Sequence, residues 1–346
     1  MHSDKPPVTM EGTVKHRKSN LELLRIVAMA LVLLIHYIPS RSLPSPQSIH
    51  TNLLETIFNL ELRSLAFVCV NCFVLISGYF GIKWRLKSFS NLLFQIFFWI
   101  IAGIVIARIF RLSEPQNWIP ACFDYLRARW FISAYLCLYI LAPLINAFID
   151  KSTQKELGLY ILLFYLFSTI YGYLCLSTEF NEGMSLISLI GIYLTRGYLR
   201  RYNLKFTSFS ASQDLLTYLA LGVILVICNA LLLAIGISKS LYGYLNPLVI
   251  LSSIYLFLFF SKIEIRYSTF INYIAASAFA VYLFHMHPLI YGTYQKICAD
   301  LNGLGLYTLV GVTTLFAGIF AFCVIVDHIR IFLFNSAWQI ASKFRF

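Results

Sequence analysis

The first long apolar stretch, residues 21–39, holds three ionisable side chains: Glu22, Arg25 and His36. Ionisable groups in hydrocarbon are costly, so each marks a functional site until another role is found. Arg25 and His36 stand eleven positions apart. On a helix that is three turns plus about 20°, which puts both on one face about 16 Å apart along the axis. Glu22 lies one turn before Arg25 on nearly the same face, within pairing reach. An imidazole exchanges protons near neutral pH, and a guanidinium matches phosphate and carboxylate oxygens. The face therefore carries an anion-binding group at one end and a proton acceptor at the other. The plainer reading of Arg25 is a snorkelling cation. That would leave only residues 26–38 as apolar span, short of the ~20 a bilayer requires. The plainer reading of His36 is a histidine at headgroup level.

Three other segments carry similar residue types. Tyr282, His285 and His287 precede Pro288, with Tyr282 one turn from His285 and placed to orient it. His36, His285 and His287 would offer three nitrogens, but no carboxylate or His-x-x-x-His pair accompanies them, so no metal is expected. Arg127, Arg129, Trp130 and Tyr135 open one apolar run; an aromatic belt with flanking cations is the plainer account. Ser77, Gly78 and Tyr79 close another and are followed by Lys83 and Arg85. Two clusters result. An inner one of Arg25, Ser77, Tyr79, Lys83 and Arg85 suits a phosphorylated donor. An outer one of His36, Tyr282, His285, Trp130, Tyr135, Arg127 and Arg129 suits proton transfer at a hydroxyl. No Ser-His-Asp or Cys-His set is evident, which favours His36 as base over His36 as a nucleophile that carries a group transiently. Aromatic residues, 16% of the chain, offer faces for a sugar ring.

The elements that must hold these groups follow from composition. The 346-residue chain is 59% hydrophobic and 12% charged, against roughly 45–50% and about 25% in soluble domains. That excludes a soluble enzyme, a disordered chain and a coiled coil. Long unbroken apolar runs exclude a β-barrel. The predicted fold is an all-α polytopic bundle of about ten transmembrane helices, near 21–39, 62–82, 91–110, 131–149, 157–175, 184–199, 214–235, 245–261, 272–292 and 304–327. With a cytoplasmic N-terminus, about two thirds of the 27 Lys and Arg fall on the inner side, as an even number of spans and a cytoplasmic C-terminus require. The net charge of +12 is thus read as topology, and no nucleic-acid partner is expected. Cys69, Cys72, Cys137, Cys228 and Cys323 lie in apolar runs and read as small hydrophobes. Three segments are expected: a flexible basic stretch 1–18, a transmembrane domain 19–330 and an interfacial amphipathic tail 331–346.

The segment from Asn20 to Tyr37, with its Arg-x10-His spacing, resembles the opening of the acyltransferase-3 family of integral membrane acyltransferases. Ile76-Ser77-Gly78-Tyr79-Phe80, Trp130-Phe131-Ile132-Ser133-Ala134-Tyr135 with Pro143-Leu144, and Val281-Tyr282-Leu283-Phe284-His285 are similar to three further signatures in the expected order. The resemblance implies a multi-pass protein of a bacterial inner membrane, among membrane lipid. It would move an acyl group, usually acetyl from cytoplasmic acetyl-CoA, to a hydroxyl of a glycan or lipid-linked saccharide. No cofactor would be bound permanently. Arg25 and His36 are the residues the resemblance makes most important. On the residues, Arg25, Ser77, Tyr79, Lys83 and Arg85 are expected to hold the donor. Trp130, Tyr135, Arg127, Arg129 and Glu22 are expected on the substrate side, with Tyr282 and His285 assisting His36. A carrier of lipid-linked sugars would line its path with the same residue types and is the alternative.

Overall fold

The computed structural model describes residues 18–38, 44–112, 123, 125–127, 129–202 and 207–343. The basic segment expected before residue 18 lies outside them. No strand occurs among the described residues. The chain runs through α1 (Ser19–Tyr37), α2 (Pro46–Thr51), α3 (Leu53–Ala66), α4 (Cys69–Phe80), α5 (Leu86–Ile109), α6 (Trp130–Lys151) and α7 (Gln154–Phe167). A wider helical turn, Ser168–Leu174, prolongs α7. There follow α8 (Leu186–Arg201), α9 (Ala211–Ala234), α10 (Pro247–Lys262), α11 (Thr269–Ala275), α12 (Ala278–His285), α13 (Pro288–Asn302) and α14 (Thr308–Lys343).

Local chemistry sets these boundaries. Thr153 with Glu156, and Ser210 with Gln213, form reciprocal capping boxes that satisfy the first free N–H groups of α7 and α9. Pro247 and Pro288 open α10 and α13, where their missing N–H has no cost. Pro143 sits inside α6 and leaves the Tyr139 carbonyl without its helical donor.

Seven helical stretches among the described residues are long and apolar enough to cross a membrane; α3 and α4 count together as one. The pair α11–α12 with α13, bent by 91°, would make an eighth. Over the described residues each of the ten expected segments is mainly helical, but α8 and α10 have 16 residues each. At 1.5 Å per residue they fall short of the ~30 Å hydrocarbon thickness when upright. The ninth expected span is broken rather than straight. His287 accepts the Leu289 N–H as N-cap of α13, so the chain turns sharply at Pro288. The expected tail 331–346 continues α14 to Lys343 without a break.

Polarity is inverted relative to a soluble protein. Ile101, Leu162, Leu216 and Phe332 face outward, as lipid requires. α1 lies in the bundle centre, with Leu24, Ala28 and Leu33 fully buried. α14 is fastened to α5 by a buried polar network. The Asp327 Oδ1 atom accepts from Gln95 Nε2 (3.1 Å), Trp99 Nε1 (3.0 Å) and Arg330 Nε (3.0 Å). Arg330 also donates to Asp327 Oδ2 at 2.8 Å and to Asn91 Oδ1 at 2.6 Å.

Gly103 lets α5 approach the turn at His287. A Cβ there would stand 2.4 Å from the His287 Cδ2 and 2.7 Å from its Cγ. The ring has little room to yield, because its Nε2 donates to the Ile100 carbonyl (3.2 Å) while Nδ1 caps α13. Gly103→Ala is therefore expected to cost about 1–3 kcal/mol by overpacking. Thermal unfolding in detergent reads this, and an unchanged midpoint would contradict the packing described.

Candidate functional site

α1 presents Arg25 and His36 to two different cavities that share a wall. His36 lines a cavity of ≈ 150 Å³ with Met29, Cys69, Arg129, Trp130, Tyr244 and Tyr282 among its neighbours. Arg25 lines a second, of ≈ 190 Å³, with Ser77, Gln95 and Tyr135. Phe73, Phe131 and Phe279 line both. These three rings, from α4, α6 and α12, form a septum between the chambers. Phe131 and Phe279 both pack on Tyr282, with ring centroids 5.6 and 5.9 Å away.

The hydrogen bonds around His36 assign its protons. His285 Nδ1 lies 2.6 Å from the Val281 carbonyl. A carbonyl only accepts, so the His285 proton is on Nδ1 and its Nε2 carries a lone pair. That Nε2 stands 3.2 Å from His36 Nδ1, which must then be the donor. Nε2 of a neutral His36 is left as a free base on a ring lining the cavity. Gln295 donates to the His36 backbone carbonyl, holding the end of α1. Tyr291 meets the His36 ring edge-on at 6.1 Å. The Arg129 guanidinium lies 5.5 Å from the Tyr291 ring, and its buried Nε has no hydrogen-bond partner.

In the second chamber Arg25 Nη1 is 2.5 Å from Glu22 Oε2. Ser77 donates to the Phe73 carbonyl (3.0 Å), so the Tyr135 hydroxyl, 3.1 Å away, is the donor to Ser77.

The two expected clusters are thus partly redrawn. His36, Arg129, Trp130 and Tyr282 line one cavity with His285 behind them. Tyr135 lies instead in the Arg25 chamber, and Glu22 pairs with Arg25 but lines neither cavity. Arg127 is exposed and lines neither cavity. Arg25 and Ser77 come together as expected. Tyr79 does not line their chamber; it takes a hydrogen bond from Lys18, and the Arg196 guanidinium stacks on its ring at 4.4 Å. Lys83 lies in a separate cleft, and Arg85, at the N-cap of α5, is exposed. His287 turns away from the other two histidines to cap α13. Among the described residues no group of three or more potential ligands could hold a metal ion.

Sequence reasoning missed Tyr291 and Gln295, although both follow Pro288 at helical spacing on the side of His287. It missed Gln95, which stands within the long apolar run from Leu92 to Ala107. It missed Arg196 as well, which is 5% exposed between Tyr79 and Phe257.

Apolar helices enclosing a histidine pair and an arginine chamber define a multi-pass membrane protein with polar side chains gathered inside the bundle. Residues 18–328 match the family described as an acyltransferase domain. The chain belongs to the acyltransferase-3 family, and its class is membrane acyltransferase. No curated protein and no solved structure shows significant similarity to it.

Proposed function

We propose that the protein transfers an acetyl group from cytoplasmic acetyl-CoA to a hydroxyl of a surface or lipid-linked glycan, in a bacterial inner membrane. The observation that carries this reading is the free Nε2 of His36, set by the His285 contact, in a cavity that also holds Arg129. In this reading the chain makes ten crossings, with the short α8 and α10 and the bent α11–α13 each spanning the membrane, and both termini in the cytoplasm. Arg25 and Ser77 then face the donor side, and His36 the acceptor side.

The chemistry runs as follows. The acceptor hydroxyl gives its proton to His36 Nε2 as its oxygen attacks the thioester carbonyl. Charge builds on the carbonyl oxygen, and the Arg129 guanidinium stabilises it. The C–S bond breaks, the ester remains on the acceptor, and the thiolate takes the proton back from His36. His285 fixes the tautomer and orientation of His36, in the manner of a second imidazole behind a base. Trp130, Tyr244 and Tyr282 supply aromatic faces for a sugar ring. Phe73, Phe131 and Phe279 must part to let the thioester pass from the Arg25 chamber to His36.

The protein in proteoliposomes, given acetyl-labelled acetyl-CoA inside and glycan acceptor outside, is expected to move label to the acceptor. A carrier of lipid-linked sugars would translocate saccharide and consume no acetyl-CoA; that result would replace this reading.

A further inference from the structure

α4 touches three spaces in succession. Cys69 and Val70 line the His36 cavity, Phe73 and Ser77 the Arg25 chamber, and Gly78 and Phe80 a larger cleft of ≈ 700 Å³. This cleft opens at the end of the bundle where α1 begins, as the contacts of Tyr79 with Lys18 and Arg200 show. Its volume lies within the roughly 300–1,000 Å³ usual for small-molecule and cofactor sites.

Its walls have the chemistry of a polyphosphate site. Lys83, Arg200 and Arg201 line it, and none of them is ion-paired among the described residues. The two arginines are held in place by backbone. Arg200 Nη1 donates to the Tyr79 carbonyl at 2.7 Å, and Arg201 Nη1 donates to the Ile149 carbonyl. Each bond uses one of five guanidinium N–H groups. The rest are available to phosphate oxygens in a preorganised fork. Trp84, 48% exposed, stands on Phe89 and Tyr139, with centroids 4.9 and 6.0 Å away. That packing fixes an indole platform on which a purine can stack. Asp150 is the one carboxylate on the described lining, so the cleft is net positive.

We propose that this cleft binds the nucleotide end of the acyl donor, a 3′-phosphorylated adenosine diphosphate. Lys83, Arg200 and Arg201 hold the phosphates and Trp84 stacks on the adenine. The inference rests on the donor reading given above and adds where the donor is anchored. From Phe80 to Val70 is ten helical steps, about 15 Å, which an extended pantetheine arm can follow along α4 toward His36. The cations then set donor affinity without touching the reacting atoms.

Full-length protein in nanodiscs of zwitterionic lipid tests this with adenosine 3′,5′-bisphosphate as probe, by calorimetry. Saturable binding is expected, weakened at least roughly ten-fold in Arg200→Gln/Arg201→Gln, as loss of charge-assisted hydrogen bonds predicts. Lys83→Gln changes only an exposed side chain; it should weaken binding in the same direction with an unchanged unfolding midpoint. Dephospho-CoA should bind more weakly than CoA. Equal binding by native protein and variants overturns the proposal. So does absent nucleotide binding with anionic phospholipid retained by the native protein but not by the arginine variant, which would make the cleft a headgroup site. Acetyl transfer measured on the same samples separates the two readings. Transfer by native protein with variant-insensitive nucleotide binding sinks only the anchor. Arginine-dependent nucleotide binding without transfer sinks only the acetyl chemistry.

Discussion

His36→Ala is expected to lower acetyl transfer by about 10²–10⁴-fold, the usual contribution of a positioned general base. The protein should remain folded, because His36 lines a cavity and its partners, His285 and Tyr291, keep other contacts. His285 still bonds the Val281 carbonyl, and Tyr291 still faces Arg129. His285→Ala removes the group that fixes the His36 tautomer, together with the packing of a fully buried ring, and should lower transfer less than His36→Ala, with kcat falling and the donor KM unchanged. Cys69 also lines the cavity and is the built-in control. Cys69→Ala should retain transfer if a histidine base activates the acceptor directly. Loss of transfer in Cys69→Ala with retention in His36→Ala would move the chemistry to a covalent thioester on sulfur. The assay is labelled acetyl transfer in proteoliposomes with protein level matched.

The second large effect is on stability. Asp327→Ala leaves Arg330 only 2% exposed without its anion, and strips Trp99 and Gln95 of their acceptor. Removing one partner of a buried pair costs about 3–5 kcal/mol, because the remaining charge stays desolvated. The expected result is a markedly lower unfolding midpoint in detergent and reduced yield. Asp327→Asn keeps an oxygen for Trp99 and should fall between. Replacing both members by apolar residues of similar volume should recover much of the loss, since the pair's own net worth is small. A native-like midpoint for Asp327→Ala would show that α14 is not held to α5 through this network.

Much of the site was legible because α1 is one uninterrupted helix. A rigid 3.6-residue period ties Arg25 to His36 whatever surrounds them, so their shared face and separation could be read from numbering. The Glu22–Arg25 pair follows from the same regularity. Tyr135 shows where this stops. It was grouped with Trp130 because both open the same run, yet five residues along a helix move a side chain more than a turn. Tyr135 therefore serves the Arg25 chamber and Trp130 the His36 cavity. Asp327 and Arg330 lie near the end of the last apolar run, and only packing against α5 reveals that both are buried.

The amino-acid sequence by itself determined an all-helical membrane chain, the family, and the axis joining Arg25 to His36. Those depend on composition and on helical periodicity, which are local. Only the tertiary structure decided which imidazole stands behind His36, that the bundle holds two chambers parted by phenylalanines, and that Arg200 and Arg201 flank a cleft. Each of these brings together residues far apart in the chain. Their meeting is governed by side-chain packing between helices, on which spacing along one helix is silent.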